Sequence, residues 1–384
     1  MAAQGFGGKN YQTSAKSLRN GLVLAFGLSV FIVIVLLNID YLLLLLGQPK
    51  NIVLIAQSYF NVYVFAAITF MFVLVLQQFM IAVDRKRLVV LMSFLGLIIM
   101  PFLSYVLIFG KLGAPAFGIR GLALATTAWA IISFLIYVLY IAFNQYFKQF
   151  QLFSFSQSNH FFEFQFIKKL LNIGFPIALQ AASDLLSFLV LTIIIGLLGS
   201  NELAVQQVVN QYFLLLVVPI FSLSQTSSIL LSQAYGAKNR IDIKRYANII
   251  LLIGLFFATI VMLLFIFFPH QLINFYAGND HSFTPDLLSL ATVILVLTGC
   301  RLWLDTIIEI KVGSLRGILD VHFPMILSVI MAWIFGLPLA YIFCFVFNWG
   351  LIGITTSGII AMLISASILY WRWLYQSRDI QFKT

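Results

Sequence analysis

Three carboxylic acids stand in stretches of this chain that are otherwise too apolar to hold a charge. Asp184 lies eight residues after Pro176; Asp305 and Glu309 are spaced i, i+4, and Arg301 is four positions before Asp305. Residues four apart on a helix sit one above another, so Arg301, Asp305 and Glu309 share a face, which must point into the protein. A carboxylate within a membrane-spanning helix costs about 2.5–3.5 kcal/mol on insertion scales, and such groups mark ion pathways and proton relays. Reversible binding of a proton or a cation is the chemistry this pattern permits. Asp184 in a low-dielectric cavity is suited to taking up and releasing a proton, and Arg301 is expected to form a local ion pair with Asp305. A structural reading stands beside it, with Asp184 satisfied by Gln180 or Ser183 and Arg301 tied to Asp305 as helix glue.

The elements that must position these residues follow from composition. Hydrophobic residues make up 62% of the 384 and charged residues 9%, against about a quarter charged in soluble domains. Runs long enough to cross a bilayer occur near 20–46, 52–82, 88–112, 117–144, 166–198, 203–234, 242–268, 285–314, 322–346 and 350–374, each meeting the requirement of about 20 residues. Polar and apolar residues do not alternate, which excludes a transmembrane barrel. The fold class is all-α: a polytopic transmembrane helix bundle with the lipid bilayer as its surroundings. The net charge of +10 does not indicate nucleic acid, because the basic residues follow alternate loops instead of forming one patch. Lys9, Lys16 and Arg19, then Arg85 to Arg87, Lys148, Lys168 and Lys169, Lys238 to Arg245, Arg316, and Arg378 with Lys383 assign those loops and both termini to the cytoplasm. Cys300 and Cys344 fall within spans, where a thiol acts as a small apolar group.

An internal repeat organises the chain. Gln4-Gly5-Phe6-Gly7-Gly8-Lys9-Asn10 returns as Gln233-Ala234-Tyr235-Gly236-Ala237-Lys238-Asn239, and Gly118-Ile119-Arg120-Gly121 is echoed by Gly350-Leu351-Ile352-Gly353. The period of about 230 residues spans an even number of helices, so the copies enter the membrane in the same direction. Two pseudo-symmetric lobes are expected, at 1–145 and 165–384, joined by a cytoplasmic linker at 146–164. Two full copies need more residues than the chain holds, which places the deficit before Met1 and gives about four helices plus six. Duplicated lobes of this kind recur in secondary transporters, with substrates bound at the repeat interface.

Other polar residues are ambiguous. Gln206, Gln207, Asn210 and Gln211, and later Ser222 to Ser228, either line a wet cavity or hydrogen-bond neighbouring helices. Pro176 is expected to kink its span. His281 and Asp286 show a His-x4-Asp spacing found in some acyltransferases, without a supporting anion site. The scattered histidines suggest no metal cluster.

Several phrases together resemble the multidrug and toxic compound extrusion (MATE) transporters: Leu203-Ala204-Val205-Gln206-Gln207 followed by Pro219; Gly118-Ile119-Arg120-Gly121 running into Ala125-Thr126; and Ser314-Leu315-Arg316-Gly317-Ile318-Leu319-Asp320. The resemblance implies twelve helices in two lobes, of which helices three to six and seven to twelve are present here. It also implies export of organic cations in exchange for Na+ or H+, by a monomer that is not an enzyme and needs no cofactor beyond the coupling ion. The acids of one branch match Asp184 and Asp305. That branch's Tyr four positions before Asp305 is Arg301, and its helix-five asparagines are Met100 and Ser104, further candidates for the cavity wall. A tethered guanidinium in place of the exchanged cation puts sodium binding in question. The resulting expectation is a cation- or proton-coupled exporter, impaired as written by a missing N-terminal segment. The alternatives are a lipid-linked saccharide flippase of a related two-lobe fold, or an inactive transporter fragment.

Overall fold

A computed structural model describes residues 1–152, 163–277 and 284–378. Among the described residues ten helices are long and apolar enough to cross a membrane. In chain order the helices are α1 (Ala2–Gly7), α2 (Tyr11–Leu37), α3 (Ile39–Leu45), α4 (Lys50–Ala82), α5 (Lys86–Phe109), α6 (Ile119–Phe143), α7 (Gln145–Lys148), α8 (Phe164–Leu198), α9 (Ser200–Gly236), α10 (Arg240–Phe267), α11 (Pro269–Ala277), α12 (Pro285–Gly317), α13 (His322–Ile330), α14 (Leu337–Tyr341) and α15 (Gly350–Arg378). The chain forms two compact units, Met1–Leu170 and Leu171–Thr384.

The first long helix begins earlier than its apolar run. Asn10 caps α2, its side chain accepting from the backbone N–H of Thr13 at 3.1 Å, so Lys16 and Arg19 lie inside the helix and not ahead of it. A capping Asn satisfies a backbone donor that would otherwise be left over, and hydropathy alone does not register that. The front of the expected linker is likewise core: Phe147, Phe150 and Leu152 pack with Phe79, Met80 and Tyr137 in the first unit. Lys16 pairs with Glu163 at 2.7 Å, and Arg19 donates to the Gln151 carbonyl at 2.9 Å. Residues 153–162, including His160, lie outside the described residues, as do His281 and Lys383.

The sequence repeat is a repeat of backbone geometry. Lys9 and Lys238 both take left-handed φ, 56° and 58°, and each is followed by an Asn that caps the next helix. Gly118 and Gly350 both have φ of 55°; the first immediately precedes α6 and the second is the first residue of α15. An L side chain is strained there, which accounts for glycine in both copies.

Pro176 lies inside α8, which runs on through it. The irregular span is 322–346, in which two π-helical segments, Met331–Gly336 and Ile342–Val346, flank α14. Pro338 has no N–H to return to the carbonyl one turn back, and the wide turn at Met331–Gly336 directly precedes it.

Candidate transport site

The second unit contains a cavity of about 390 Å³ whose wall includes Asp184, Asp305, Glu309 and Arg301 together with Gln180, Gln206 and Asn210. Helix α12 supplies the stripe Arg301, Asp305 and Glu309, and α8 supplies Gln180 and Asp184. Gln206 donates to the Asn210 side chain at 2.9 Å, so this pair on α9 forms a polar strip of the wall. Gln207 is exposed and outside the wall, and Met100 and Ser104 are on α5 of the first unit. Phe188, Leu191 and Phe221 make much of the remaining wall apolar, in keeping with small-molecule sites that use few polar groups to fix orientation.

Asp184 finds a different partner from the two expected. Its Oδ1 accepts from Ser328 Oγ at 2.6 Å. Ser183 Oγ accepts from Trp333 Nε1 at 2.9 Å, and Gln180 Oε1 from Arg316 Nη2 at 3.0 Å. Positions 180, 183 and 184 share one face of α8 (i, i+3, i+4), and that face meets α13, the following π segment and the end of α12. Arg316, expected in a loop, is in the last turn of α12. Asp320, close behind it, pairs with Arg372 Nε at 2.9 Å, which ties the loop to α15.

Arg301 makes no ion pair with Asp305. Its guanidinium lies over the Phe213 ring, Cζ 4.8 Å from the centroid, and Nε is buried without a hydrogen-bond partner among the described residues.

The serines of α9 act as helix glue. Ser224 Oγ donates to the Glu309 carbonyl at 2.7 Å, Ser227 and Ser314 hydroxyls are 2.9 Å apart, and Ser232 Oγ donates to the Gly317 carbonyl at 3.1 Å. Gly313 permits this approach, since an added Cβ would overlap the Ser224 carbonyl. Small residues that let backbones meet are the usual basis of close helix pairs in membranes.

One buried cation went unnoticed in the sequence. Lys311 is 0% exposed, its Nζ lacks a hydrogen-bond partner among the described residues, and it lies 5.1 Å and 5.4 Å from the Tyr370 and Trp373 ring centres. Burying an unpaired ammonium is costly, so Lys311→Met should raise the thermal unfolding midpoint in detergent; an unchanged or lower midpoint would show that the rings compensate fully.

Among the described residues no group of three His, Cys, Asp or Glu side chains could hold a metal ion together. Asp286 is in the first turn of α12, and its expected partner His281 lies outside the described residues. Cys300 and Cys344 are free thiols.

The MatE family profile matches residues 1–106 and 176–342. The chain belongs to the MatE family. It is similar to the probable multidrug resistance protein NorM of Rhizobium meliloti (strain 1021), 26% identical over 382 residues, covering 99% of this chain and 81% of the relative. It is also similar to the multidrug resistance protein NorM of Vibrio vulnificus (strain YJ016), 26% identical over 369 residues, with 94% and 79% covered. A solved outward-facing structure of a multidrug resistance MATE family transporter of the MOP superfamily superposes with a TM-score of 0.88 at 20% identity, covering 100% of this chain and 83% of that one. The MatE chain is thus a multi-pass membrane protein with the all-helical, two-lobe fold of these transporters, and it spans about four fifths of the length of these relatives.

Proposed function

We propose that this MatE protein exports organic cations across the cytoplasmic membrane as a monomer, exchanging them for H+ or Na+ at Asp184, Asp305 and Glu309. One observation carries the reading: three acids from two helices line a single cavity of mixed apolar and polar wall. An organic cation and the coupling ion compete for the same negative charge, so that arrival of one favours departure of the other. The basic loops and both termini lie on the cytoplasmic side, following the positive-inside rule. Residues 1–145 and 165–384 act as the two lobes of the exchange cycle.

The test uses purified protein in liposomes with ethidium as the fluorescent cation and an imposed gradient of either protons or sodium. Ethidium movement should follow one of the two gradients and collapse when that gradient is dissipated, which identifies the coupling ion. Movement indifferent to both gradients would remove ion exchange from the reading.

A further inference from the structure

A fixed positive charge is out of place in a wall built to receive cations. Arg301 is one helical turn from Asp305, where its charge opposes that of any cation bound there, and the opposition is strong in a low-dielectric wall. Among the described residues the guanidinium forms no ion pair and no hydrogen bond, and Nε is fully buried without a partner. It nevertheless lines the cavity, with Phe213 beneath it. A guanidinium carries its N–H donors in one plane, in the fork that matches a carboxylate.

We infer that Arg301 receives a carboxylate of the transported compound, which makes the cargo dipolar: an acid on Arg301, a basic nitrogen on Asp305 or Glu309, and an apolar body against Phe188, Leu191 and Phe221. Four and eight residues of helix separate Arg301 from these two acids, a rise of about 6 and 12 Å, and the two charges of the cargo stand roughly that far apart. Arg301 is then a specificity-determining residue, and the inference rests on the cavity being the transport site.

Two dyes test it: a rhodamine with a free benzoic acid and the methyl ester of the same rhodamine, in which one added methyl group removes the negative charge. Binding to the purified full chain is followed by fluorescence anisotropy. The protein should prefer the acid by about tenfold, and Arg301→Gln should bring the ratio within about twofold by weakening the acid alone. Should that variant fail thermal unfolding controls, Arg301→Lys, which keeps the charge without the planar fork, should lower the preference to about threefold. A ratio unchanged in the variant that folds, or a wild-type preference for the ester, overturns the inference. Asp305→Asn separates the two layers of argument. If it weakens both dyes while the wild type binds them equally, the transport site stands and the acid site falls. If neither dye responds to it, or neither binds, both fall.

Discussion

Asp305→Asn should cut gradient-driven efflux by more than about tenfold while the protein stays folded, because the exchange needs an ionisable group at the cavity wall. The amide has nearly the same shape and can still accept and donate hydrogen bonds, so packing around α12 is preserved. What is lost is the negative charge for which substrate and coupling ion compete. Asp184→Asn should behave likewise, since an amide oxygen can still accept from Ser328 but no longer binds an ion. Initial rates of ethidium efflux from proteoliposomes, normalised to protein inserted, decide the matter. Efflux by Asp305→Asn close to the unsubstituted rate would place the coupling elsewhere.

The second large effect is on stability. Gly313→Leu should destabilise the second unit by about 3 kcal/mol, combining the strain of overpacking with lost interhelical hydrogen bonds. The side chain would be driven into the Ser224 carbonyl, prising α9 from α12 and opening the contacts of Ser224, Ser227 and Ser232 with α12. Gly174→Ala is the control, as a methyl group there meets nothing within 4 Å. Unfolding midpoints in detergent should fall sharply for the first and hold or rise slightly for the second. A Gly313→Leu protein as stable as the parent would mean that the two helices are not in backbone contact.

The spans were legible because each is an apolar run of bilayer length, and the repeat because its turns demand particular residues. Lys9 with Asn10 and Lys238 with Asn239 fold alike, as do Gly118 and Gly350. The charged stripe on α12 could be read because i, i+4 spacing is a property of one helix. Partners across helices could not be read this way. Nothing local announces that Ser328 reaches Asp184, that Trp333 reaches Ser183, or that Phe213 lies under Arg301. Local spacing likewise suggested an Arg301–Asp305 ion pair, whereas the guanidinium lies over a ring on another helix. The wide turns before and after α14 were not legible for a related reason: a proline within an apolar run, such as Pro176 or Pro338, does not by itself say whether the backbone widens there.

Helix α8 is moored to its neighbours at Gln180, Ser183 and Asp184, and the last of these moorings ends on an oxygen that the cargo or its counter-ion would claim. In the proposed exchange, a sodium ion on Asp184 would compete with the Ser328 hydroxyl for Oδ1, and a proton there would remove the charge that strengthens the contact. Loading the carboxylate and slackening α8 would then be a single step, with no separate signal needed to tell the helix that the exchange has occurred.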